Sequence, residues 1–179
     1  MTKKHVMWII AAIFITANLM LLRAAYATWG PIKHVESIAS VVTPQILQIL
    51  EGRKTSLTSE SLTPKPMLVV WANDGSLYRD VQQLLPTTLW PENKDDIAYL
   101  VVITRTDMQD GTYTDGQPGY QINYTVEFVS YLNAQELAQT ILYGSPSPFS
   151  KQGSGPAYGT PPTDDSVAFW IKSQTGVQQ

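Results

Sequence analysis

Between Asp107 and Tyr120 the chain reads DMQDGTYTDGQPGY, with three aspartates and three glycines in fourteen positions. Acidic side chains at that density have two chemical uses. They hold a cation, or they supply the paired carboxylates of a glycoside hydrolase. A calcium loop of the EF-hand type needs alternate acidic or amide ligands ahead of an obligatory glycine, and a bidentate glutamate at its end. With Gly111 as that glycine, Asp110 falls in a ligand position, but Thr106 and Met108 stand where two further ligands belong and Gln117 stands in the place of the glutamate. With Gly116 instead, Asp115 has only Tyr113 and Gly111 as its companions. The EF-hand register fails both ways. A non-standard cation site built from Asp107, Asp110, Asp115 and backbone carbonyls is the remaining metal alternative. Asp-Gly occurs twice, and that dipeptide suits tight turns with positive φ, where Asp bonds its own backbone. The expectation is therefore a structural loop between two strands. Its ligand-binding candidates are Asp107, Asp110, Asp115, Tyr113 and Tyr120.

Other chemistry is narrowed by elimination. The two histidines are His5 and His34, both ahead of the segment that reads as a folded domain, which leaves that segment no Ser-His-Asp triad and no histidine-rich zinc site. Cysteine is absent, so disulfides, thiolate nucleophiles and cysteine metal sites are excluded. Carboxylate-pair hydrolysis through Asp74, Asp107, Asp110 or Asp115 survives as a composition match without a spacing that makes two of them converge. GSGPAYG, residues 153–159, has the glycines of a phosphate loop but follows a proline-rich stretch and opens no suitable helix. Asn123-Tyr124-Thr125 is a glycosylation sequon placed in the middle of a strand pattern. No cofactor is implied. Tyr113, Tyr120, Tyr143, Phe149 and Tyr158 lie in or beside Gly/Pro loops, where aromatic side chains serve as interface anchors or close over sheet edges.

The elements that would carry these residues start at the N-terminus. Lys3, Lys4 and His5 precede VMWIIAAIFITANLMLL, seventeen residues without a charge. Such a run is a membrane or signal segment. Its apolar members include Val6, Trp8, Ile9, Ile10, Phe14, Leu19 and Leu22, and the preferred reading is an uncleaved anchor in contact with lipid, the N-terminus inside and the remainder outside. The alternative is a signal peptide cleaved after Ala27, since Ala25-Tyr26-Ala27 has small residues in the required places. Setting aside Lys3, Lys4 and Arg23 leaves nine basic side chains against fifteen acidic, a net charge of −6. With no basic patch to neutralise phosphates, nucleic acid is not an expected partner.

Residues 30–66 read as an amphipathic juxtamembrane helix followed by a linker. Ile32, Val35, Ala39, Val42, Ile46 and Ile49 recur at helical spacing, with a break expected near Pro44. The same spacing admits a short dimer seam through Ile32, Val35, Val42, Ile46 and Ile49, against which Pro44 and the small number of heptads count. The other readings place this helix on the membrane or against its own domain. TSLTSESLTPKP, residues 55–66, is the linker.

The domain proper is expected over residues 67–172, with 173–179 as a tail. MLVVWA is a short strand. A helix over LYRDVQQLLP follows, capped by Asp74 or Ser76, with Leu77, Val81, Leu84 and Leu85 on one face. Ile97 to Thr104 is a strand, and Gly119 to Leu132 a long alternating one with Tyr120, Ile122, Tyr124, Val126, Phe128 and Ser130 on one face and Gln121, Asn123, Thr125, Glu127, Val129 and Tyr131 on the other, one of the two being the core face. NAQE reverses the chain so that LAQTILYG returns antiparallel. After a Pro/Gly/Ser-rich stretch, Thr163 to Asp165 cap a last helix with Val167, Trp170 and Ile171 as its stripe. The order β-α-β-β-β-α makes a small α+β unit, a mainly antiparallel sheet with helix on one face.

Leu85-Pro86, the strand Ile97 to Thr104, GTYTDG at 111–116, Tyr120 opening a long strand, Gly144, and Pro161-Pro162 before a helix with Trp170 together resemble a loose group of uncharacterised bacterial envelope proteins, membrane-anchored or secreted. The resemblance covers about residues 67 to 172. It implies bacterial origin, and brings no activity, cofactor or substrate. The functional expectation is a membrane-anchored extracytoplasmic binding or scaffolding domain of the cell envelope, non-catalytic, at the plasma membrane with a single pass. The alternative is a secreted or anchored carboxylate-dependent glycan hydrolase or glycan-binding module.

Overall fold

The computed structural model describes residues 30–54, 62–151 and 153–177. The expected anchor residues, Val6 through Leu22, and most of the expected linker lie outside them. Among the described residues no helix is long and apolar enough to cross a membrane.

The domain is α+β, with a mixed sheet and three α-helices. Helix α1 occupies residues 30–51. Strand β1 (Met67–Trp71) is followed by α2 (Arg79–Leu84), then by β2 (Tyr99–Thr112), β3 (Pro118–Ser130), β4 (Glu136–Tyr143), the two-residue β5 (Ala157–Tyr158) and α3 (Asp164–Thr175). The sheet runs β1-β2-β3-β4, and β5 pairs with the start of β3 beyond the end of β4. Strands β1 and β2 are parallel, Met67 opposite Tyr99, so that β1-α2-β2 is a crossover unit, while β2-β3 and β3-β4 are antiparallel.

Strand β1 is buried on both faces, which is why its sequence is an unbroken apolar run rather than an alternation. Met67 and Val69 join Val101, Ile103, Val126 and Phe128 in a core closed by Val81 of α2 and by Val167, Ala168 and Ile171 of α3. Leu68 and Val70 face the other way, with Leu100, Val102 and Val129, and are covered by α1. Helix therefore covers both faces of the sheet, not one. The α1 stripe falls where its spacing puts it, and Ile32, Val35, Val42, Ile46 and Ile49 are all buried against the sheet of their own chain. Those side chains are turned inward, onto the sheet. Helix α1 thus packs as part of the folded domain.

The expected break at Pro44 does not occur, and the helix runs through it. Pro44 sits on the exposed side of α1, so the carbonyl it leaves without a helical donor faces water, where the loss is compensated. Helix α2 is shorter than expected and lacks a side-chain cap. Asp74 accepts instead from the Ser76 amide at 2.9 Å, shaping the turn after β1, and Leu77 forms a bridge with Val70 rather than a helical position. Leu84, expected on the apolar face, is substantially exposed. Buried Gln82 occupies the position toward β1, its Oε1 accepting from Val69 N at 2.9 Å and its Nε2 donating to Met67 O at 3.3 Å. A side chain thus occupies the outer edge of β1 where a further strand would pair. Helix α3 matches its sequence signals: the Thr163 side chain accepts from Ser166 N, and Gly176 ends the helix in the left-handed region at φ 68°.

Candidate functional site

The candidate residues lie on an arm whose residues were expected to form a loop between two strands. Strand β2 does not stop at Thr104 but continues to Thr112, and β3 begins at Pro118, so most of the glycine- and aspartate-rich stretch is strand. Beyond Ile103 the two strands project past the end of β1 as a hairpin. The two Asp-Gly pairs have different roles. Gly116 sits at φ 80° in the turn, where Tyr113 N donates to Gln117 O at 2.8 Å and the Asp115 carboxylate accepts from Gln117 N at 3.1 Å. Asp110-Gly111 lies at a β-bulge, the register shifting between Gln109 and Gly111.

Each candidate carboxylate is engaged. Asp107 receives the Arg105 guanidinium through two bonds, at 2.8 and 3.2 Å. Asp110 accepts from Ser147 N at 2.7 Å, and its bonds to Ser147 hold its carboxyl below the usual range. Asp115 pairs with Lys151 Nζ at 2.7 Å, and this bond, with that from Gln117 N, lowers its carboxyl likewise. The tyrosines are engaged too. Tyr113 donates its hydroxyl to the Pro148 carbonyl and carries Lys151 Nζ 5.4 Å above its ring. Tyr120 stacks on Tyr158 with ring centroids 5.2 Å apart and planes 18° apart.

Apart from Asp107, which pairs with Arg105 on its own strand, these residues share one partner, the Pro/Gly/Ser-rich stretch after β4, which wraps the arm. A Cβ on Gly119 would stand 2.3 Å from Ser147 Oγ, and one on Gly144 would stand 2.3 Å from Thr160 O and 2.4 Å from Ile122 O. Those glycines permit backbone approaches that no other residue would. Ser145 N donates to Thr160 O, and Gly159 N to Tyr120 O, at 2.9 and 2.8 Å. At the tip lies a cleft of about 390 Å³ lined by Thr112, Tyr113, Asp115, Phe149 and Lys151 among others, with the Phe149 ring fully exposed beside it.

The five candidates therefore share one arm, yet they do not converge on a common point. Among the described residues no group of three or more His, Asp or Glu is placed to hold a metal ion. His34 lies on α1, its Nε2 within 2.8 Å of the Glu92 carbonyl. Asp74 is spent on its turn, with its carboxyl lowered by Ser76. Asn123 of the sequon is buried in β3, with Oδ1 accepting from Gly144 N at 3.4 Å.

The structure brings together a different carboxylate pair, Glu127 of β3 and Glu136 of β4, both buried on the α1 side of the sheet. Arg53, just past α1, bonds Glu127, and Gln139 Nε2 donates to the other Glu127 oxygen at 3.3 Å. Burial, and then the Glu127 charge, raise the Glu136 carboxyl, while Arg53 opposes them. Glu127 was legible as a charged residue on the same strand face as Val129; its pairing with Arg53 spans 74 positions and had no local signal. A second polar contact missed by sequence reading joins the β1–α2 turn to α3, where Tyr78 donates to Asp164 Oδ1 at 2.5 Å. Burial first, and then Asp164, push that phenol upward. Tyr78 also stacks on Trp71, whose ring meets Tyr124 edge-on.

The class these features define is a small α+β domain with helices on both faces of a mixed sheet and a braced hairpin arm. No protein-family model, curated protein or solved structure matches the chain.

Proposed function

We propose that the chain is a membrane-anchored extracytoplasmic domain that works by binding or scaffolding in the cell envelope rather than by catalysis. The anchor part of this reading rests on the uncharged run behind Lys3 and Lys4. The binding part rests on one observation: every carboxylate and tyrosine singled out on the arm already bonds, or in the case of Tyr120 stacks on, a partner within the chain. A general acid or base has to reach a substrate proton, and these groups are instead spent on rigidity. Rigidity is what a recognition surface gains from, because little conformational entropy is lost on binding. The arm offers the exposed Phe149 beside its tip cleft as an anchor of the type interfaces favour.

The test is to tag the full chain in its native host, fractionate the cells and recover bound proteins from membranes. The expected result is full-length chain in the membrane fraction with a protein partner that Phe149→Ala loses. A soluble chain shortened at its N-terminus would overturn the anchor, and the lack of any stable partner across growth conditions would overturn the scaffold. Retention on cell-wall glycan that is abolished by replacing Asp107, Asp110 and Asp115 with Asn would move the reading to a glycan-binding module.

A further inference from the structure

The sheet has two outer strands, and they are finished differently. The outer edge of β1 is occupied: Gln82 bonds Val69 N and Met67 O, Tyr78 N donates to Val69 O, and Trp71 N to Ser76 O. The half of β2 that projects past β1 carries Arg105, Asp107 and Asp110, a bulge and Gly111, features that blunt an exposed edge against pairing. Strand β4 has a bulge at its start, where Leu137 is the extra residue between Glu136 and Ala138, and beyond that point none of these protections. From Leu137 to Tyr143 it contains no charge, proline or glycine.

Which groups of β4 are free follows from its register. Gly144 N bonds Ile122 O, and bonding alternates along an antiparallel ladder, so Leu142, Thr140 and Ala138 turn their backbone groups to β3. Gln139, Ile141 and Tyr143 turn theirs outward, and among the described residues those groups have no hydrogen-bond partner. At the start of the strand, Lys54 takes the outward groups, donating to Ala134 O and accepting from Glu136 N. At its end, the chain leaves at Gly144 and pairs with Thr160. The open edge is therefore a short window centred on Ile141. In that window Ile141 is 50% and Tyr143 65% exposed, both on the side shared with Thr125 and Asn123.

We propose that this edge pairs with the same edge of a second copy of the chain, antiparallel about a twofold axis through Ile141. Three observations select a second copy over another partner. The outward residues are symmetric about Ile141, so Gln139 of one copy meets Tyr143 of the other, and each outward N–H faces an outward C=O. The window is uncharged in a chain that is otherwise acidic, so self-pairing brings no like charges together. The pairing also sets Ile141 on Ile141 and Tyr143 over Gln139, removing the window's exposed apolar side chains from water. The two sheets become one continuous sheet. The inference stands apart from whatever the arm binds.

The absence of native cysteine makes the register directly readable by oxidation of single introduced cysteines in the purified full-length chain. Hydrogen-bonded antiparallel partners lie about 5.5 Å apart at Cα, within disulfide reach, whereas Gln139 would lie about 14 Å from its own copy. Expected is a sedimentation mass twice that of one chain and a covalent dimer from Ile141→Cys. Gln139→Cys and Tyr143→Cys should each give none alone, but a cross-linked dimer when mixed. Ile141→Lys should return the mass to one chain while tryptophan fluorescence remains native. A monomer at all concentrations would overturn the proposal. So would cross-links of Gln139→Cys or Tyr143→Cys to themselves, or a dimer that survives Ile141→Lys.

Discussion

Replacing Ile46 with Ala tests whether α1 is core or stalk. Ile46 is fully buried, its neighbours being the sheet side chains under α1 and the turn at Gly75, whose Cβ position lies 3.2 Å from Ile46 Cγ2. The change removes three carbons, about 2.4 kcal/mol at roughly 0.8 kcal/mol per buried methylene. The cavity adds to this because α1 is held along its length and cannot collapse onto one missing side chain, so a total of about 3–4 kcal/mol is expected. That is a large part of the 5–15 kcal/mol typical of a domain. It should lower the melting temperature by roughly 10 °C. The assay is urea and thermal unfolding of the full-length chain followed by tryptophan fluorescence, with Val41→Ala as the control on the same helix. Val41 is 66% exposed, and its truncation should change stability by less than about 0.5 kcal/mol. If Ile46→Ala costs less than about 1 kcal/mol, or acts chiefly on oligomeric state, then α1 is not part of the core and the three-layer packing is wrong.

Three further outcomes follow from particular contacts. Gln82→Leu keeps the volume but strands the Val69 N–H and the Met67 carbonyl, and should destabilise by about 2–4 kcal/mol in the same unfolding assay; a change under about 0.5 kcal/mol would mean that water reaches that edge. Gly144→Ala places a methyl group against two backbone oxygens, which must separate; the tail should loosen, seen as faster amide exchange at Ser145 and Gly159, and unchanged exchange would contradict the close approach. The Glu136 carboxyl is raised in the folded state, so its penalty is absent below the unfolded value near 4.5 and complete once pH exceeds the folded one. Glu136→Gln should therefore stabilise at pH 7, with the gain shrinking toward zero as pH falls to about 4; a gain independent of pH would remove burial of charge as its cause.

The sequence by itself determined which positions are apolar and at what period. The stripe from Ile32 to Ile49, the alternation from Ile122 to Phe128, the return of β4 and the Thr163 cap all came through, because each is set by residues within a few positions of one another. A period shows that a face must be covered and leaves open what covers it. Only the tertiary structure decided that α1 lies on its own sheet, making a second helical layer of a segment whose spacing equally admitted a dimer seam, a membrane surface or its own domain. The same holds for the arm. Its carboxylates were legible as chemistry, but the Asp110–Ser147 bond spans 37 positions and the Tyr113–Pro148 bond 35, so whether those groups were free or engaged was fixed by long-range contact. The parallel β1–β2 pairing, the closure of one sheet edge by Gln82 and the open window on β4 are likewise consequences of strand order, which no local pattern encodes.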